Sequence, residues 1–308
     1  MALMKKPVFP HYFRWGKVLY PLMFLSPWII GVFVFSIYPI FSSLYLSFTN
    51  FSLFAKPDFI GAVNYTRLIV DPRFLKACQV TITYVLLGVP LQLCFALLLA
   101  LMLNRGIPGL QYFRAIYYLP ALLGGSVAIG ILWRQVFGMD GLLNGFLGLL
   151  GAPQSVTGTS WITNPKYALF TLIILRVWQF GSPMLIFLAG LKQIPAELYE
   201  SASIDGAGRF RQFIKITLPM LSPIILFNLI MQIISAFQAF TPAYIIGGSQ
   251  GGSLDSLLFY TLYLYLMGFS YYKMGMASAM AWVLLLAIGL MTLIIIRASK
   301  SMVFYNEE

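Results

Sequence analysis

Residues 200–219 read ESASIDGAGRFRQFIKITLP, a polar and compact stretch wedged between two long apolar runs. Just upstream, Ile194 and Pro195 lead into Ala196, Glu197, Leu198 and Tyr199, a proline near a helix start with acids in the first turns, as a short helix prefers. Asp205 and Gly206 then break that helix, since glycine permits a left-handed turn and aspartate is suited to cap a helix that follows. Phe210, Phe213, Ile214 and Thr217 recur at helical spacing and give the second arm one apolar face. Leu218-Pro219 opens the next apolar run, where proline is tolerated in a first helical turn. Segment 194–217 is therefore expected to fold as two short helices at an angle, a knob between two spans.

The runs on either side set the fold class. Of 308 residues 60% are apolar and 9% charged, outside ordinary globular usage. A span needs about 20 mostly apolar residues to cross a hydrocarbon core of about 30 Å. Six stretches qualify, at about 18–48, 77–103, 112–137, 167–191, 218–240 and 275–298. The expectation is an all-α membrane protein, a single transmembrane domain over 1–308 with six helices and the knob between the fourth and fifth.

Net charge +11 raises nucleic acid as a partner, but the basic residues sit at the ends of apolar runs rather than in solvated clusters, so they report topology and the lipid bilayer is the partner implied. With the N-terminus inside, the cytoplasmic side collects twelve Lys and Arg, among them Lys5, Lys6, Arg14, Arg105, Lys192, Arg209, Arg211, Lys215 and Lys300, against six outside. Both termini are expected in the cytoplasm. The first run is longer than a signal-peptide core and lacks a small-residue cleavage site, so it should be retained. Cys78 and Cys94 read as buried thiols, and the lone His11 makes no metal site.

Two outer loops have their own character. Segment 138–165 is too short and glycine-rich to span and reads as an interfacial helix. Segment 241–275 begins flexible by composition around Gly247, Gly248, Gly251 and Gly252, then carries an aromatic run, Phe259 to Tyr272, expected at the membrane interface.

Inside the spans polar groups are few. Arg176 lies near mid-depth of the fourth, where a charge costs about 2.5–3.5 kcal/mol, and no Asp or Glu in an apolar core pairs with it. It must face a polar cavity, backbone carbonyls or a partner subunit. One reading is a structural arginine bonded at a helix break near Gly181 to Pro183; the other is a substrate contact. In the fifth span Asn228, Gln232 and Ser235 fall on one helical face, which Gln238 widens. Such amides serve equally as interhelical glue or as partners for hydroxyl groups.

The knob carries a family resemblance. Glu200, Ala202 and Gly206, followed by Phe213, Ile216, Leu218 and Pro219, match the "EAA" loop of permease subunits in binding-protein-dependent ABC importers, with Ser201 where the pattern has alanine. Asp205, Gly206 and Ala207 supply the D-G-A favoured in the carbohydrate branch, and Tyr38-Pro39-Ile40, Pro90-Leu91-Gln92-Leu93, Tyr118-Leu119-Pro120, Gly141-Leu142-Leu143-Asn144 and Gly247-Gly248 also resemble maltose-type permeases. The resemblance implies a bacterial inner-membrane subunit that works with a second, homologous permease. It also implies two ATPase subunits docked on this loop and an extracytoplasmic solute-binding protein that delivers an oligosaccharide. Substrate contacts are implied on the fifth span; an acidic sugar would suit Arg176. The chain has no G-x-x-x-x-G-K-[ST] phosphate loop, so it is expected to be no enzyme and to hold no cofactor, ATP and Mg belonging to its partners. The alternative, a self-sufficient carrier or channel, is weakened by the lack of intramembrane Asp, Glu or His for ion coupling. An intramembrane enzyme finds no nucleophile and base, or metal cluster.

Overall fold

The computed structural model describes residues 15–104 and 109–299. Lys5, Lys6, Arg14, Arg105 and Lys300, which carry part of the expected orientation, and His11 lie outside them. Helix α1 (Trp15–Val32) passes through a π turn into α2 (Tyr38–Ser47). Then come α3 (Val63–Val70), α4 (Pro72–Leu103), α5 (Leu110–Leu123), α6 (Val127–Phe137), α7 (Leu142–Leu149) and α8 (Gln154–Thr157). The fourth span is α9 (Ala168–Trp178) with α10 (Gly181–Leu191), and α11 (Ala196–Ile204) and α12 (Arg209–Gln212) form the knob. Beyond them lie α13 (Leu218–Phe237), α14 (Thr241–Gly247), α15 (Tyr260–Tyr265) and α16 (Met274–Ser299).

Among the described residues, five helical stretches are long and apolar enough to cross a membrane: Tyr20–Ser47, Pro72–Leu103, Ala168–Leu191, Arg209–Phe237 and Met274–Ser299. The third expected span, 112–137, is not one straight helix. Tyr112–Leu123 and Val127–Leu149 meet at 94°. Gly124 and Gly125 are poor helix formers, and the Ser126 hydroxyl accepts from the Ile129 N–H at 3.3 Å, starting a new helix in a new direction. The segment 138–165 contributes α7, with Leu142 and Leu149 at 75% and 88% exposure.

Prolines shape the spans through the carbonyl each leaves without a donor four residues back. Just ahead of Pro39 and Pro219 the helix widens into π turns, Phe33–Ile37 and Phe213–Thr217, with the Tyr38 and Leu218 N–H groups reaching the carbonyls of Phe33 and Phe213. At Pro27 and Pro223 the preceding serine takes over: Ser26 donates to the Met23 carbonyl at 2.8 Å and Ser222 to that of Pro219 at 2.7 Å.

α4 is the axis of the bundle, packed by α9, α10, α13 and α15. Leu172, Leu175, Met184, Phe187 and Leu221 fill the space around Val85 and Val89, all nearly inaccessible. Within a bilayer such contacts gain dispersion rather than hydrophobic energy, so tight fit matters. At Gly190 an added Cβ would lie 2.1 Å from Ile224 Cδ1, and α10 and α13 approach through that gap.

Three expectations are corrected. The first part of the aromatic run lies in the core rather than on a surface: Phe259, Tyr260, Leu262, Tyr263 and Leu266 are at most 4% exposed, and only its end, Phe269, Tyr271 and Tyr272, is exposed. Tyr84 and Phe74 of α4 meet Phe259 and Tyr260 ring to ring, and the Tyr260 hydroxyl donates to the Met280 carbonyl. The stretch read as flexible begins as α14 and continues into a loop tied to α4, where Arg73 pairs with Asp255 at 2.7 Å. Cys94 is exposed and Cys78 half-buried; neither is bonded.

Candidate functional site: a docking elbow and an intramembrane polar layer

The knob is built by a helix stop. α11 ends in a Schellman turn: the Gly206 N–H donates to the Ser203 carbonyl at 3.1 Å and the Ala207 N–H to that of Ala202 at 2.8 Å. Gly206 has φ +76°, a left-handed conformation costly for most other residues, and nothing among the described residues lies within 4 Å of where its Cβ would be. Asp205 therefore closes the first helix rather than capping the second, whose N-cap is Gly208. The second arm is not a separate short helix either. It runs unbroken from Arg209 to Phe237, so the fifth span begins at Arg209 and Pro219 sits inside it, accommodated by the π turn.

Sequence reasoning missed the residues that fix the elbow's angle. Gln212 donates to the Ser203 hydroxyl at 2.9 Å and to the Ala207 carbonyl at 3.0 Å, lashing the second arm to the first. The Tyr199 hydroxyl meets that of Thr217 at 2.9 Å. With both angles held, Glu197, Glu200, Ser201 and Asp205 project into solvent from one arm and Arg209, Arg211 and Lys215 from the other. Ile204 and Phe210, at 87% and 77% exposure, stand at the tip. Ala202, Ala207 and Ile216 face inward and line a cleft of about 260 Å³ with Asp205 and Arg211. Phe213 lines a second, of about 550 Å³, with Leu101 of α4 and Asn104, which caps that helix. Leu218 and Pro219 are half-buried at the base.

The polar layer lies within the spans. Arg176 is 6% exposed and donates to Gln232 twice, to its carbonyl at 2.7 Å and its side-chain oxygen at 3.1 Å. Its guanidinium carbon sits 5.5 Å from the centroid of the Tyr84 ring, and an added Cβ at Gly88 would lie 3.0 Å from its Cδ. The arginine thus finds a backbone carbonyl, but on α13 and not at the break near Gly181. That break is served by Gln92, whose amide donates to the Gln179 carbonyl at 3.0 Å. The expected polar face of α13 divides: Asn228 is fully buried with neither amide atom bonded, Gln232 is half-buried, and Ser235 and Gln238 are exposed. Gln92 carried a signal only in hindsight, since Pro183 deprives Gln179 of its helical donor and some side chain must replace it.

A 32-residue helix is about 48 Å long, more than a bilayer core, and α4 carries one feature at each end. Asn104 lies by the elbow and Arg73 by the 250–255 loop. This arrangement agrees with what known proteins show. The family described as "Binding-protein-dependent transport system inner membrane component" matches residues 59–302. The chain belongs to that family. Among its relatives, "Probable ABC transporter permease protein YesP" of Bacillus subtilis (strain 168) is 51% identical over 286 residues, 92% of each chain. "Lactose transport system permease protein LacF" of Rhizobium radiobacter is 34% identical over 90% of this chain and 93% of its own. A chain of a crystallised bacterial alginate ABC transporter, bound to an alginate pentasaccharide-bound periplasmic protein, superposes with TM-score 0.78 at 22% identity over 94% of this chain and 96% of that one, and shows the same fold. As an inner membrane component of a transport system, the chain is a transport subunit rather than an enzyme, and the self-sufficient carrier is not favoured.

Proposed function

We propose that this chain is the membrane-spanning subunit of an ATP-driven importer of sugars or oligosaccharides, forming the translocation path with a second, homologous permease. The observation that carries the reading is the elbow at 194–217. A rigid projection with exposed acids, exposed cations and the bare side chains of Ile204 and Phe210 is suited to a partner's cleft, because little ordering remains to be paid on binding. Two ATPase subunits, one docked on each permease, drive alternation between inward- and outward-facing states, and ATP and Mg sit on those subunits. An extracytoplasmic solute-binding protein delivers the sugar, a reading supported by the alginate neighbour, which was crystallised in complex with an alginate pentasaccharide-bound periplasmic protein. The exposed Ser235 and Gln238 are the α13 groups best placed for sugar hydroxyls. Arg176 is engaged with Gln232 and reads as structural.

The test is co-expression with the partner subunits and reconstitution in proteoliposomes. Glu200→Lys is expected to lower ATPase co-purification and ATP-driven oligosaccharide uptake together by at least tenfold. Wild-type levels of both would remove the elbow from the coupling role.

A further inference from the structure

Two broken spans meet at one side chain. Pro183 leaves the Gln179 carbonyl without a helical donor, and Gln92 supplies one. The bend between α5 and α6 likewise leaves the Gly124 carbonyl without a backbone donor, and Gln179 Nε2 donates to it at 3.0 Å. At membrane depth no water replaces such bonds, so each open carbonyl demands a protein donor. The fit is close: a Cβ on Gly124 would lie 2.3 Å from Gln179 Cγ, and one on Gly181 would lie 2.8 Å from the Tyr117 carbonyl oxygen. Other ties act further along α6. Trp133 donates to the Thr171 carbonyl, and Gly130 admits Ile245. Gln179 alone among these touches the bend itself.

We propose that Gln179 is the positioning residue that sets the bend of the third span, by carrying the carbonyl left open at Gly124, and that Gln92 in turn fixes Gln179. One amide then couples the break in the fourth span to that in the third, so the two cannot change shape independently. The consequence for transport rests on the reading that the solute passes between these helices; the control of the bend does not.

The bend can be measured on the full chain in lipid nanodiscs, in a Cys78→Ser, Cys94→Ser background, by pulsed electron resonance between nitroxides on Tyr112→Cys and Leu132→Cys, both exposed sites. A straight helix would separate these backbone positions by about 30 Å and a right-angled one by about 20 Å. The parent should give a narrow, short distribution. Gln179→Ala should broaden it toward the long value, and Gln179→Asn, one methylene short, should do the same and serves if the alanine variant fails to fold. Gly124→Ala should also disturb it, whereas adding Gly124→Ala to Gln179→Ala should change nothing more, because the clash is with that side chain. Trp133→Phe should leave the distance alone. An unchanged distance in both Gln179 variants, or an equal shift in Trp133→Phe, would overturn the proposal. In the reconstituted transporter Gln179→Ala is expected to lower maximal oligosaccharide uptake about tenfold with little change in KM. A displaced bend with full uptake would overturn the transport consequence alone.

Discussion

Arg176 and Gly206 show how single residues are constrained here from opposite directions, one by its partners and one by its backbone. The Arg176 guanidinium is buried with its Nε unbonded, so it depends on Gln232. Removing an acceptor from a buried charge costs more than removing the charge, because the charge is left poorly solvated. Gln232→Leu should therefore destabilise the detergent-purified protein by about 1–2 kcal/mol, and Arg176→Met by less, the double variant recovering most of the loss in thermal unfolding. If Arg176→Met proves the worse of the two, the guanidinium has another role in the layer. Gly206 has open space but φ +76°, so the restriction is conformational. A residue with a Cβ pays about 1–2 kcal/mol in that region, and asparagine pays least. Gly206→Asn should keep ATPase co-purification near the parent level, whereas Gly206→Val should lose it. Equal loss in both would mean that a partner needs the bare glycine surface rather than the turn.

Elements in this protein are held by bonds that reach far along the sequence, and this limits what the sequence alone tells. Pro39 and Pro219, the glycine pair at the third span's bend and the helix stop at Asp205-Gly206 are all local, and each marks a real irregularity, whereas Pro90 lies inside the continuous helix α4. What fills the gaps they create is not local. Gln92 reaches Gln179 across 87 positions and Arg73 reaches Asp255 across 182. The aromatic run from Phe259 suits a membrane interface and a core equally by composition; only its packing on α4 decides. Gly247, Gly248, Gly251 and Gly252 suggest flexibility by composition, yet Arg73 holds the 248–256 loop by donating to both Asp255 oxygens and to the Gln250 carbonyl. Leu254 and Asp255 there have φ near +50°, a strained conformation for residues with a Cβ. Asp255→Asn separates the two effects, since asparagine tolerates the left-handed region but loses the charge. It should raise amide exchange across 248–256 about tenfold, the equivalent of about 1.4 kcal/mol, without altering exchange in α13. Unchanged protection would assign the loop's order to its backbone turns instead.

At the scale of the whole molecule, the all-helical membrane fold was readable from apolar runs because a bilayer demands lengths that few other environments do. The third span's bend was not, since Gly124 to Ser126 interrupt the helix without interrupting its apolarity. Burial is uneven: the most apolar window of Tyr20–Ser47 has no buried residue, while that of Ala168–Leu191 is 56% buried. Phe24, Trp28 and Phe35 of the first span stand 80%, 68% and 82% exposed, a surface suited to lipid or to a second permease. Orientation is the property on which every functional assignment depends, and the molecule offers one probe at each end. Ile204 caps the elbow beside the α4 C-terminus, and Leu254, at 83% exposure, tops the loop tied to the α4 N-terminus. By the positive-inside rule, the excess of Lys and Arg around the elbow predicts a cytoplasmic position for that end. With Cys78 and Cys94 replaced by serine, a membrane-impermeant maleimide should label Leu254→Cys in intact cells, with the outer membrane opened where there is one, and Ile204→Cys only in inside-out vesicles. The converse pattern would invert the topology and take the elbow out of reach of any ATPase. Labelling of both from one side would mean that α4 does not cross the membrane.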